Sequence, residues 1–222
     1  MSLTSAIKAN IQGDVWPGLP KRFQTFLFFR VKNRVDFKNR LKTFIPKITT
    51  GQDACEMSEI IKKARKEAQD AKRSAKLQGL PGINISFTST GLEAGMYEDL
   101  VGEGWDNPQE LRKEYKPNKE KERVIDGMIM VTASLKRDLD AKVSEVKQHF
   151  LAEEGTPPNA DTYALSKDPS LEFNLTRSGN VLPGEIKGRE HFGFLDGISQ
   201  PILEGWEDKQ LKEKEPKPVK PG

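Results

Sequence analysis

The chain has 222 residues, of which 35% are hydrophobic and 31% charged, with a mean hydropathy of −0.66. That is enough apolar material for one medium globular domain and excludes global disorder, since roughly 150 residues already bury about two-thirds of the unfolded surface. Thirty-six Lys and Arg against 33 Asp and Glu leave +3, which lacks the basic excess of a chain that binds phosphate backbones.

In chain order, the aromatic and β-branched run Phe23 to Val31, bounded upstream by Pro17, Gly18 and Pro20, predicts a buried strand. Asp36 to Phe44 places Phe37, Leu41 and Phe44 at helical spacing, and Pro46 stops it. A longer helix is predicted over Asp53 to Leu77, with Ile60, Ile61, Ala64, Ala68, Ala71 and Ala75 on one apolar face. Its basic side chains (Lys62, Lys63, Arg65, Lys66, Lys72, Arg73, Lys76) suit either a docking face for an acidic partner or an ordinary solvated face laced by Glu59, Glu67 and Asp70.

Pro81-Gly82 marks a turn, and Ile83 to Thr88 alternates with period two, as a half-buried strand does. Leu92 to Leu100 fits a short helix, and Gly102 to Glu122 a long surface excursion. Val124 to Ala133 predicts a third strand. Ser134 then caps a helix whose stripe is Leu135, Leu139, Val143, Val146 and Phe150. Leu171 to Thr176 alternates again, before a turn at Ser178-Gly179-Asn180.

The order predicts an α+β, ferredoxin-like βαββαβ domain: a four-stranded antiparallel sheet with helices covering one face. Its other face is too apolar to be left wet and calls for a second domain or a second subunit, so self-association is expected. The domain is placed at 9–180, a loop at 181–203, and a disordered tail rich in charge and proline at 204–222.

No run reaches the ~18 to 20 apolar residues of a bilayer-spanning helix. The N-terminus has no secretory apolar segment, and Cys55 is the sole cysteine. Both point to a cytoplasmic protein without fixing the compartment. No Cys/His metal cluster, phosphate-binding glycine loop or Ser/His/Asp arrangement stands out.

The informative stretch runs from Gly184 to Pro201. Gly193, Gly197 and Pro201 make a tight loop that sets Asp196 among Phe194, Leu195 and Ile198. A carboxylate there serves either as a proton donor and acceptor or as a turn aspartate bonded to neighbouring backbone N–H groups.

Gly193-Phe194-Leu195-Asp196-Gly197 resembles the Gly-x-x-Asp-Gly hallmark of the dye-decolourising peroxidase family. Its extension from Glu190 to Pro201, together with Asn10-Ile-Gln-Gly-Asp14 and Leu19-Pro20, is similar to fungal members, and the likeness spans roughly residues 9 to 203. The resemblance implies a dimeric α+β barrel architecture of two ferredoxin-like halves and a haem b enzyme. Such an enzyme uses hydrogen peroxide to oxidise dyes and other aromatic substrates, with no nucleic-acid or membrane partner. In that family Asp196 would lie on the distal side of the haem and relay a proton between the peroxide oxygens.

By the same resemblance Gly197, Ile198, Ser199 and Gln200 line the haem edge or simply pack the loop. His191 either orients the loop, touches the haem edge or ligates the iron. His149 belongs to the core-facing helix. The family's proximal histidine and distal arginine lie beyond the motif, so this chain is expected to be an N-terminal half without an axial ligand, inactive alone. The alternative is a haem-free ferredoxin-like binding or assembly module. Trp16, Trp105, Trp206, Tyr97, Tyr115 and Tyr163 are candidates for electron carriage, or for plain packing.

Overall fold

A computed structural model describes residues 5–88, 125–153 and 164–182. In chain order the elements are α1 (Ser5–Ala9), β1 (Phe23–Val31), α2 (Arg34–Phe44), a 3₁₀ turn (Ile45–Lys47), α3 (Gly51–Asp70), β2 (Gly82–Phe87), β3 (Gly127–Ala133), α4 (Lys136–Leu151) and β4 (Leu171–Asn180). The four strands form one antiparallel sheet in the order β2-β3-β1-β4, which is the ferredoxin-like arrangement.

The aromatic β1 is, with β3, one of the two interior strands, paired along both edges. It pairs with β3 from Phe23↔Ala133 to Phe29↔Gly127, and with β4 from Phe23↔Asn180 to Val31↔Leu171. An irregularity between Phe28 and Phe29 leaves Asn174 of β4 out of register, so both halves of β4 keep their apolar residues facing correctly. Gly127 is forced by crowding: a Cβ there would lie 2.4 Å from Phe29 Cζ and 2.6 Å from the Ser86 carbonyl oxygen.

Leu27, Phe29, Ile83, Ile85, Ile129 and Val131 share the face on which α2 and α4 pack. Phe37 and Phe44 of α2 meet Phe150 of α4 at centroid separations of 5.9 and 4.9 Å. Asp126, only 6% exposed, ties the strand ends together. Its carboxylate accepts the Val31 N–H at 2.7 Å, its N–H donates to the Phe29 carbonyl at 2.8 Å, and its carbonyl accepts the Thr88 N–H at 3.0 Å.

The opposite face is partly covered by the chain itself. Leu19 from the loop before β1 and Ala54 from α3 pack on Met130, with Phe26 and Met128 partly buried beside them. This explains why Gly82 to Ile85 are all buried where alternation predicts every second residue wet. Phe28 and Leu175 farther along the face are half-buried.

Beyond shifts of a residue or two at element ends, three boundaries differ from expectation. The helix α3 ends at Asp70, not Leu77. Arg73 N–H reaches the Ala68 carbonyl at 2.9 Å and Lys72 N–H the Gln69 carbonyl at 3.0 Å, the Schellman closure, with Lys72 at φ 48° where glycine is favoured. Ala71 and Ala75 are therefore off the helix, and Ile60 is 45% exposed rather than on its buried face. Lys72→Gly should raise stability by about 0.5 to 1 kcal/mol, because it removes left-handed strain of about 1 kcal/mol or more against a small entropic cost. Urea unfolding checks it, and Lys72→Ala should show no gain.

Next, Ser134 is not the cap of α4. Leu135 occupies that position and makes no side-chain capping bond. Finally, Ser178, Gly179 and Asn180 are strand, not turn. They pair with Thr25, Gln24 and Phe23, and the Thr25 and Ser178 hydroxyls lie 2.9 Å apart, so tertiary pairing overrides local turn preference. The segments at 92–100 and 102–122, and the loop and tail beyond residue 182, lie outside the described residues. Among those described, no helix is long and apolar enough to cross a membrane.

Candidate functional site

The approach to the site is described, while its centre is not. Asp196, Gly197, Ile198, Ser199, Gln200 and His191 lie outside the described residues, as do Trp105, Trp206, Tyr97, Tyr115 and Tyr163. β4 carries the chain to the sheet end formed by the start of β1 and the end of β3. There the Val181 N–H donates to the Arg22 carbonyl at 3.0 Å, which fixes where the polypeptide leaves toward the Gly-x-x-Asp-Gly segment.

The N-terminal part of the resemblance, Asn10 to Asp14 with Leu19-Pro20, has a clear physical role. The Gln12 side chain mimics a strand against the outer edge of β2: its Nε2 donates to the Ile85 carbonyl at 2.9 Å and its Oε1 accepts the Ile85 N–H at 2.8 Å. Thr49 does the same at Ile83, its Oγ1 accepting that N–H at 2.9 Å. Gly13 follows where the loop crosses α3. A Cβ there would stand 2.7 Å from the Thr50 carbonyl oxygen and 2.8 Å from Ala54 Cβ. Gln12→Ala should cost about 1 to 3 kcal/mol, since it orphans the part-buried Ile85 groups. A chemical melt measures that loss, and an unchanged midpoint would mean the clamp contributes nothing. Trp16 is half-buried with the Lys8 ammonium 5.3 Å from its ring centroid.

His149 is bound into the α2/α4 seam. Its Nε2 lies 2.9 Å from the Arg40 carbonyl, which can only accept, so Nε2 carries the proton. The ring packs on Phe44 and Phe150. Arg40 reciprocates, its Nη1 donating to the His149 carbonyl at 2.7 Å and its Nη2 to the Ala152 carbonyl at 2.9 Å, while Nε is held by Asp36 at 2.8 Å. Sequence analysis missed this clamp. The Asp36/Arg40 spacing of four was its visible trace.

Burial holds the His149 pKa below the ordinary histidine value, with the Lys47 and Arg40 charges adding to it against the Arg40 carbonyl bond and Glu145. The neutral ring is thus favoured in the folded state. Stability from this site is full above the unfolded pKa of about 6.5 and is lost as pH falls through the lower folded value. Urea melts between pH 7.5 and 5.5 should show a decline that is shallower in His149→Phe; parallel slopes would refute it.

For a haem iron, the described residues do not fit as ligands. His149 is the one histidine among them, its Nε2 is committed to Arg40, and no group of three or more His, Cys, Asp or Glu side chains able to hold a metal ion occurs among them.

Comparison with known proteins gives this geometry a family. A family model described as the DyP dimeric alpha+beta barrel domain matches residues 10–155. A dye-decolorizing peroxidase of Mycena epipterygia is 29% identical over 223 residues, covering 96% of this chain and 35% of the relative. Another, of Exidia glandulosa, is 28% identical over 214 residues, covering 92% and 36%. Among solved structures, a mutant of the dye-decolorizing peroxidase of Pleurotus ostreatus superposes with a TM-score of 0.66 at 27% identity, over 93% of this chain and 42% of that one. An ancestral D-type dye decolorizing peroxidase gives 0.62 at 30% identity, over 90% and 40%. The chain spans about a third of the length of the curated relatives it matches. From the matched barrel domain and these likenesses along nearly its whole length, the chain belongs to the dye-decolorizing peroxidase (DyP) family.

Proposed function

We propose that this chain forms the N-terminal part of a haem b peroxidase that uses hydrogen peroxide to oxidise dyes and other aromatic substrates. The observation that carries the reading is the pairing of Gly193-Phe194-Leu195-Asp196-Gly197 with a four-stranded sheet of the matched family, whose β4 leads toward that segment. A relative of 27% identity has been solved in complex with 2,6-dimethoxyphenol, which makes an electron-rich phenol the natural trial substrate.

In this reading the Asp196 carboxylate takes the proton from one peroxide oxygen and returns it to the other, which departs as water; the proton count is unchanged. His191, Gly197, Ile198, Ser199 and Gln200 border the cofactor. Haem, when bound, supplies the redox-active iron that peroxide oxidises. Because His149 is engaged elsewhere, the axial ligand comes from outside the described residues. The half-buried sheet face around Phe28 and Leu175 is where further protein packs, as a second domain or a second copy.

The test is haemin titration of the full-length protein that carries this chain, followed by peroxide-dependent oxidation of 2,6-dimethoxyphenol. A shifted Soret band at one equivalent with turnover is expected. Absence of both the Soret shift and turnover would overturn the proposal.

A further inference from the structure

Beside the start of β1, a cleft of about 620 Å³ opens between the C-terminal half of α3, the extended residues after it and the ends of β3 and β4. Its size suits a drug-sized organic molecule. Four cations line it, Lys21, Arg22, Arg65 and Lys76, and among the described residues no carboxylate does. Lys21 is partly answered by Asp14 at 2.5 Å, and Arg22 lies over the Phe23 ring at 5.8 Å. Arg65 and Lys76 have no ion-pair partner among the described residues.

Besides the polar Gln78, Ser134 and Asn180, the rest of the wall is apolar. Leu77 and Val181 belong to the cleft and are each 42% exposed, large hydrophobic side chains left at the surface where cations converge. Phe23 at the start of β1 and Ile61 on α3 also line it. A fully solvated basic patch would not be built on such a wall, and an apolar ligand would not call for an uncompensated positive rim.

We propose that this cleft binds a small amphipathic organic anion, an aromatic ring system bearing a sulfonate or carboxylate. The ring lies on the apolar wall and the anionic group meets Arg65 and Lys76. A polyanion is disfavoured, because the four cations gather at one cleft and the chain carries only +3 overall. The proposal does not depend on the peroxidase reading, since binding is measured without haem and without peroxide.

The test is calorimetric titration of the full 222-residue chain with naphthalene-2-sulfonate, with naphthalene-2-methanol as the uncharged control. One saturable site is expected, with the neutral analogue at least tenfold weaker. The double variant Arg65→Glu/Lys76→Glu should weaken sulfonate binding at least tenfold, as should Leu77→Asp. All three side chains are exposed, and circular dichroism confirms that the variants remain folded. Absence of saturable binding, equal affinity for the neutral analogue, or a double variant that binds like the parent would overturn the proposal. So would a short duplex DNA that binds more tightly than the sulfonate and is lost in the same double variant.

Discussion

Replacing Phe150 by alanine is expected to lower the unfolding free energy by about 3 to 5 kcal/mol, the range for emptying a phenylalanine site in a packed core. Phe150 is fully buried. Its ring stacks on Phe37 and tilts against Phe44, and its carbonyl accepts the Ser170 hydroxyl at 2.9 Å just before β4 begins. The ring therefore joins both sheet-covering helices, and no small side chain can replace those contacts without opening a void. Against a typical net stability of about 5 to 15 kcal/mol, the loss would leave a marginal domain. Equilibrium urea unfolding with Phe150→Leu as the milder truncation decides it. A deficit under about 1 kcal/mol would mean the seam closes around the gap.

The second large effect concerns catalysis. In the full-length, haem-loaded protein, Asp196→Asn should slow peroxide consumption by about 10² to 10⁴, the usual contribution of a positioned proton carrier. An amide keeps the shape and hydrogen-bonding capacity but cannot take up and return a proton. Because the carboxylate must be ionised to take the proton and an ordinary carboxyl group titrates near pH 4, parental activity should fall away below about pH 4 and that limb should vanish in the variant. Asp196→Glu should recover part of the rate. Measurement of kcat/KM for peroxide across pH, with Tm held as a control, separates this from simple unfolding. Turnover within about threefold of the parent would remove Asp196 from the proton path.

The legibility of this fold varies with the range of the interactions that decide each element. β1 is visible residue for residue, because a continuous aromatic run bounded by prolines has one stable home, the middle of a sheet. α2 and α4 are visible from their apolar spacing, although Asn33, which accepts the Asp36 N–H at 3.1 Å, starts α2 two residues earlier than its stripe. The end of α3 is not visible, since Ala71 and Ala75 continue the helical spacing and nothing local marks Lys72 as left-handed.

The covering of the second sheet face by Leu19 and Ala54 was equally hidden. It depends on close backbone approaches at Gly13 and Gly51 and on Gln12 acting as a strand, none of which has a periodic signature. The proposed chemical site rests on family resemblance. Unaided physical reasoning leaves Asp196 divided between proton carriage and turn formation, because a short loop supports both equally well.

The central position of β1 has a consequence for biosynthesis. It emerges from the ribosome well before its lateral neighbours, which begin only at Gly127 and Leu171. At ordinary translation rates of about 5 to 20 residues per second, a run containing Phe26, Leu27, Phe28 and Phe29 waits roughly 5 to 20 seconds for its first companion. Over that interval the nascent polypeptide displays a sticky, strand-forming segment with no native shelter, a natural ligand for a holdase and the step at which recombinant yield is most exposed to growth temperature.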